Sequence, residues 1–286
     1  MHIGRVAQIW RYPVKSMAGE RLTSTPVDVA GLPGDRAWAV RDEERGGIRG
    51  AKKLPELMRC AARYLEEPRA ERAGDAEMRL ADGTVVRTDD PEAAAHLSRV
   101  LGTRVTLWPL QPADRLEHFR RGAPTHADLE QEMRSIFALE PNEPLPDLSG
   151  LPPELLEYES PPGTYFDAFP LLLLTATSLD ALARLAPESR IDVRRFRPNF
   201  VLDLPDGPTG FPEAAWAGRR IRLGSMTAEV TIPCMRCVMT TLPVDELPKD
   251  PRIMRTMVRE TKQCLGAYAR VVEPGVVRLG DAAELL

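Results

Sequence analysis

With 286 residues, 43% of them apolar and 28% charged, the chain is long enough for two domains with genuine cores. Its formal net charge of −4 gives no overall electrostatic footprint for nucleic acid, so any anion it binds must meet a local basic site. Four cysteines, with no paired spacing beyond Cys234 and Cys237, point to a reducing compartment, the cytoplasm by default, and not to a disulfide framework.

The first predicted strand covers residues 3–12 and stops at Pro13, where the missing N–H ends a ladder and leaves Lys15 and Ser16 on a turn. Gly31-Leu32-Pro33-Gly34 signals a turn before Asp35, Arg36 and a short β run over 37–40. Residues 43–50 read as a charged hairpin. Pro55 starts a helix through Leu57, Met58 and Ala61, with Cys60 as a packed thiol inside it. Residues 66–76 read as a polar loop and 78–88 as a hairpin turning at Asp82-Gly83. Asp90-Pro91 opens a helix through Leu101 that Gly102 closes, and 105–107 return as a strand. Prolines then preclude long regular elements over 109–164, apart from one helix over 126–139. His118 and His126 in this stretch carry no assigned chemistry, since isolated loop histidines are mostly solvated.

The second predicted domain begins near Tyr165. Residues 169–175 form a buried strand, and Thr177-Ser178-Leu179-Asp180 opens a helix whose Leu179, Leu182 and Leu185 share the core-facing spacing before Pro187 ends it. Arg190, Arg194, Arg195 and Arg197 follow as the densest basic patch, ahead of Pro198-Asn199 and a strand over 200–204. Such a patch is either a solvated loop or a phosphate site, because planar guanidinium forks match phosphate oxygens. Segments 218–223, 226–232, 269–272 and 276–279 read as strands of one closed sheet, interrupted by a helix from Asp250-Pro251 to about Lys262.

At the end of the 226–232 strand stands Pro233-Cys234-Met235-Arg236-Cys237-Val238-Met239-Thr240-Thr241. Cys-x-x-Cys spacing serves zinc, a redox disulfide or a single reactive thiolate. Zinc needs a second ligand pair that Cys60, Cys264 and the four histidines do not supply. A redox dithiol wants its first Cys at a helix N-terminus, whereas Cys237 leads into a β-branched, apolar run. Two packed thiols at a strand end remain the plain alternative, and Arg236 is a fixed cation that favours a thiolate at Cys237.

The run Arg236-Cys237-Val238-Met239-Thr240-Thr241, with Arg195-Phe196-Arg197-Pro198-Asn199-Phe200 before it, resembles the MOSC domain, named after the C-terminal part of molybdenum cofactor sulfurases. Tyr12-Pro13-Val14-Lys15-Ser16 and Gly34-Asp35-Arg36-Ala37-Trp38 resemble the β-barrel domain that precedes it. By pattern the chain is most similar to the amidoxime-reducing molybdoenzymes, mitochondrial and bacterial. The resemblance implies an α+β, mainly β fold: an N-terminal β-barrel-like domain over 1–108, a Pro-rich connector over 109–164 and a MOSC β-barrel domain with peripheral helices over 165–286. It places a cofactor cleft between the two domains.

The same resemblance implies a molybdenum cofactor (molybdopterin with Mo), with Cys237 as catalytic residue and metal ligand. It implies Lys15, Ser16, Arg36, Arg197, Asn199 and Arg236 as cofactor-binding residues. The implied reaction reduces N-hydroxylated small molecules, amidoximes and N-hydroxylated bases, with electrons from a separate protein of the flavin reductase, ferredoxin or cytochrome b5 type. The alternative is a persulfide carrier or a cofactor-delivery protein without redox turnover; pyridoxal phosphate is only a generic association of the domain class. No nucleic-acid or membrane partner is expected: no run reaches the roughly 18 apolar residues of a membrane span, and the chain begins directly with strand-like alternation. The run Leu242-Pro243-Val244-Asp245 departs from the family's Val-Asp-Pro and leaves Asp245 without an assigned role.

Overall fold

The computed structural model describes residues 1–68, 73–205 and 209–286. Strand β1 (His2–Arg11) alternates, burying Val6 and Ile9, and ends where Pro13 removes a ladder donor. Short strands follow: β2 (Glu20–Leu22), β3 (Ser24–Val27), β4 (Trp38–Asp42), β5 (Ile48–Arg49), β6 (Ala61–Tyr64), β7 (Ala76–Arg79) and β8 (Val85–Arg87). Helix α1 (Ala93–Leu101) closes on Gly102 in the left-handed region, and β9 (Val105–Pro109) returns beside β4. The Pro-rich stretch carries α2 (Leu116–Phe119) and α3 (Leu129–Phe137), the latter capped by Asp128 accepting from Gln131 N–H. The C-terminal part comprises β10 (Leu171–Thr175), α4 (Ala176–Leu185), β11 (Phe200–Asp203), β12 (Arg220–Leu223), β13 (Met226–Met235), α5 (Arg252–Thr261), β14 (Cys264–Glu273), β15 (Gly275–Arg278) and β16 (Ala282–Leu285).

Seven strands in the order β11-β10-β14-β13-β12-β16-β1 close into a barrel through the pairing of β11 with β1, and β2 continues beyond β1. The fold is mainly β with five α-helices among the described residues. The first strand therefore lies in a barrel otherwise built from residues 171–285. It is gripped on both sides, with Ile9 opposite Phe200 and His2 opposite Glu284. Gly4 permits that closure: a Cβ there would stand 2.0 Å from the Asp203 carbonyl oxygen. Strands β10 and β11 are parallel, joined over α4, so every residue of β10 is buried. Ile9, Leu173, Phe200, Ile221, Val230 and Ala269 are among the barrel's core residues.

The smaller sheets β5-β4-β9 and β6-β7-β8 share a second core with the stretch after Cys237. Val14, Trp38, Leu57, Met78 and Leu97 pack there with Met239, Leu242 and Val244. Apolar burial thus ties the two ends of the chain together at the point where the Cys-x-x-Cys stretch emerges.

Some expectations are corrected. The helix from Pro55 is a 3-10 turn, Pro55–Arg59, and it ends before Cys60, whose backbone is extended as the chain enters β6. Segment 276–279 does not join the closed sheet: β15 pairs with β3, and the barrel position is taken by β16, whose four residues carry too little alternation to be read as a strand. In α4, Leu182 is buried but Leu185 is exposed, because the buried face runs through Ser178, Ala181 and Leu182 and not along the leucine row. The polar loop expected over 66–76 lies partly outside the described residues.

Candidate functional site

All seven residues singled out in the sequence line one cleft: Lys15, Ser16, Arg36, Arg197, Asn199, Arg236 and Cys237. The turn after β1 delivers Lys15 and Ser16, the turn before β4 delivers Arg36, the approach to β11 delivers Arg197 and Asn199, and the end of β13 delivers Arg236 and Cys237. Their meeting depends on barrel closure, because β1 brings residues 12–16 beside β11. Ser16, Arg36 and Arg197 adopt φ of 70°, 52° and 57°. Left-handed backbone at a non-glycine residue costs about 1–3 kcal/mol and persists only where surrounding bonds enforce it. Here they do: Ser16 Oγ accepts from Ala51 N–H at 2.9 Å, and Arg36 N–H donates to Tyr12 O at 2.6 Å.

The cleft is cationic, and its charges are held by a buried scaffold. Asp35 accepts from Tyr12 N–H at 2.8 Å and from Asn199 Nδ2 at 2.9 Å, and pairs with the Arg36 guanidinium. Asn199 Oδ1 accepts from Leu172 N–H at 3.1 Å, so both ends of this amide are used inside the protein. Arg36 and Arg197 both lie over the Tyr12 ring. Arg197 Nη1 donates to Met17 O, while its Nη2 is buried without a partner. Arg236 donates through Nη1 to Cys234 Sγ at 2.9 Å and through Nη2 to Phe196 O at 2.6 Å, and its Nε is likewise buried and unpartnered. Burial, reinforced by the nearby Arg36 charge, lowers the pKa of Arg197 to about 10.

At the other side of the cleft, Lys15 Nζ donates to Tyr165 O at 2.8 Å and lies 3.0 Å from Asp167 Oδ1. Lys52 Nζ stands 3.5 Å from the same oxygen. Burial opposes ionisation of Asp167, but the two ammoniums overcome it and hold the carboxyl well below its ordinary range. Burial likewise lowers Lys15.

Cys237 is half-buried, and burial pushes its thiol up; Lys52 pulls it back, and Arg236 does so less. Arg236 acts on Cys237 in the expected direction, but it is the weaker of the two cations. Its guanidinium turns to Cys234, and the larger pull comes from Lys52. Val238–Thr241 is a 3-10 turn with Cys237 as its N-cap residue. A short turn escaped detection because Val and Thr promote extended structure, while the hydroxyls of Thr240 and Thr241 bond back to the carbonyls of Cys237 and Val238.

The basic patch divides. Arg194 is tied to Asp192, Asp245 and Glu246 at the surface, and Arg190 stands 3.8 Å from Glu246. Arg195 spends its guanidinium on the carbonyls of Arg190, Leu242 and Pro248. Arg197 alone among the four retains a buried donor without a partner. Asp245 pairs with Arg79 and Arg194 and is not part of the cleft lining.

Sequence reasoning did not assign roles to Tyr12, Asp35, Lys52 and Asp167. Tyr12 and Asp35 lie inside the stretches that carried the resemblance, but Lys52 and Asp167 had no local signal; only the fold brings them to Lys15. Among the described residues no group of three or more His, Cys, Asp or Glu side chains could hold a metal. A metal here would bring most of its ligands with it and take one sulfur from Cys237.

Residues 3–93 match the MOSC N-terminal beta barrel domain and residues 162–284 match the MOSC domain. Mitochondrial amidoxime-reducing component 1 of Mus musculus is 25% identical over 311 residues, covering 99% of this chain and 83% of that protein. Mitochondrial amidoxime reducing component 2 of Homo sapiens is 27% identical over 301 residues, covering 98% and 82%. Among solved structures, the YUAD protein from Bacillus subtilis aligns with a TM-score of 0.44 at 12% identity, over 99% of this chain and 94% of that one. The chain belongs to the MOSC proteins, with the N-terminal beta barrel domain of that family preceding the MOSC domain.

Proposed function

We propose that the cleft binds a molybdenum cofactor and that the protein reduces N-hydroxylated small molecules, amidoximes and N-hydroxylated bases, with electrons from a separate donor protein. The observation that carries this reading is the pair of buried, unpartnered guanidinium donors, Arg197 Nη2 and Arg236 Nε, in the same cleft as the Cys237 thiol. A buried donor without an acceptor costs about 1–3 kcal/mol, and a phosphate entering the cleft would supply what both lack. The donor set fits the group: one soft sulfur for a metal that carries its own sulfur ligands, and cations for an anionic pterin tail.

Lys15, Arg36, Arg197 and Arg236 would share the neutralisation of that tail. The Ser16 hydroxyl, whose oxygen already accepts from Ala51 N–H, keeps its proton to donate. Asn199 would act by fixing Asp35, and through it Arg36. Cys237 would ligate as a thiolate: burial favours the neutral thiol in the free chain, and a soft metal displaces that proton. When bound, the molybdenum centre supplies two-electron oxygen-atom chemistry.

The test is production in paired strains, one making the cofactor and one unable to. Molybdenum and pterin should copurify only from the first, and that preparation should reduce an amidoxime panel with a dithionite-reduced dye. Equal, negligible molybdenum in both would sink the cofactor reading, and a loaded, dye-reducible protein inert toward the panel would sink the substrate class.

A further inference from the structure

We propose that Tyr12 is a positioning residue for anion binding: its ring holds the like-charged guanidiniums of Arg36 and Arg197 together as one clamp facing the cleft. The inference rests on the reading of the cleft as an anion site. The Cζ atoms of Arg36 and Arg197 lie 4.8 and 4.2 Å from the Tyr12 ring centroid. Two guanidiniums gathered on one ring repel, and the Arg36 charge adds to burial in lowering Arg197. Arg36 has Asp35 to offset its charge, whereas among the described residues Arg197 pairs with no carboxylate. Besides the Met17 carbonyl that accepts from its Nη1, the negative face of the Tyr12 ring is what holds it.

The ring is itself immobilised. Tyr12 is 2% exposed, its N–H donates to Asp35 Oδ1 at 2.8 Å, and its hydroxyl donates to Pro198 O at 3.0 Å. The last bond anchors it to the residue between Arg197 and Asn199. Arg36 Nη2 also reaches Arg197 O at 3.4 Å, so ring and arginines form one unit that spans the two ends of the chain. With water excluded, the attraction between ring and cation is little screened, and Arg197 Nη2 stays poised for an acceptor.

The experiment uses the full chain purified from a host that cannot make the cofactor, with inorganic phosphate as the probe in calorimetry at low salt. Tyr12→Phe keeps the ring and is the reference. Incorporated 4-fluoro-, 3,4,5-trifluoro- and pentafluorophenylalanine then withdraw density from the ring face at nearly constant shape, and thermal melts confirm the fold. Phosphate affinity should fall stepwise, by about tenfold from Phe to pentafluorophenylalanine, the size of a desolvated cation–π contact. In an Arg36→Met background, where one cation remains, the fall should be shallower. An affinity that stays flat across the series, or a slope that Arg36→Met leaves unchanged, overturns the clamp; so does a chain with no measurable phosphate affinity. A protein that shows the trend but never acquires molybdenum overturns the proposed function and keeps the clamp. A flat trend in a chain that does load molybdenum does the reverse.

Discussion

The two sulfurs of the Cys-x-x-Cys stretch meet opposite surroundings: Cys234 is sealed in the protein and accepts from Arg236, whereas Cys237 is half-buried and lines the cleft. A dithiol pair would need both to react. Cys237→Ser should therefore lower molybdenum content and dye-linked turnover by at least about 100-fold, and Cys234→Ser by about tenfold, the low end of the ~10–100-fold range for a partner that only supports a ligand, because a serine oxygen still accepts from Arg236. Equal losses at unchanged fold and metal content would return the motif to dithiol chemistry. Asp35 is the other residue on which the site turns. Removing its carboxylate strands Tyr12 N–H, Asn199 Nδ2 and the Arg36 guanidinium at once. Asp35→Ala should cost about 3–5 kcal/mol in urea unfolding, the range for a broken buried ion pair, with a smaller loss for Asp35→Asn, which keeps an acceptor. An Asp35→Ala chain as stable as the parent would show that these donors find water or other acceptors. The sequence displayed Lys15, Arg36, Arg197 and Cys237 because each stands in a recognisable run, but gave no sign that Arg236 faces Cys234 or that Lys52 faces Asp167. Side-chain direction after a turn is decided by packing, which leaves no local pattern.

The junction of β10, α4 and the 3-10 turn Pro212–Ala215 is held by one buried acid. Glu213 Oε2 accepts from Thr175 Oγ1 at 2.9 Å and from Ser178 Oγ at 2.6 Å, and Thr175 also caps α4 through Ser178 N–H. Its Oε1 is buried without a partner. Burial raises the Glu213 carboxyl, and the two hydroxyls offset this only in part. A raised pKa in the folded state means that the protonated acid is preferred there, so its contribution to stability is complete below the ordinary glutamate range and is lost as pH rises through the raised value. As pH rises above the ordinary glutamate range the parent should lose stability relative to Glu213→Gln, read from urea midpoints at each pH. A difference that does not vary with pH would place an ionised carboxylate in the folded chain. Elements of this kind were legible where periodicity was long: β1, β13, α1 and α5 stand within a few residues of their expected positions. The expected helix over 126–139 shortens to Leu129–Phe137 because Asp128, not His126, supplies the cap. Strand β16 was missed because four residues carry too few alternations to distinguish strand from tail.

Which strands pair is a property of the whole molecule, and here the decisive pairing joins residues nearly 200 positions apart, Arg5 with Asp203 and Ile9 with Phe200. Alternation within 3–12 announces a strand without naming its partner, so barrel closure by β1 could not be read from its own residues. The consequence is that the first strand, the cleft and the C-terminal strands stand or fall together. The chain ends meet at this closure: Met1 N donates to Leu285 O at 2.8 Å, and Leu285 N–H donates to Met1 O at 2.8 Å. If the barrel is one cooperative unit, joining Leu286 to Met1 through a short Gly/Ser linker and opening the chain between Pro146 and Asp147, outside any helix or strand, should leave every barrel pairing intact. The permuted chain should unfold in a single transition, within about 2 kcal/mol of the parent, since new loop connections change closure entropy by little. Deleting residues 2–11 should by contrast leave β11 and β16 with open edges and the cleft without Lys15 in place, giving an aggregating chain with no phosphate affinity. A deletion variant that remains monomeric and binds phosphate as the parent does would mean that the C-terminal strands close without β1, and the site would then have to be rebuilt on β11 and β13 alone.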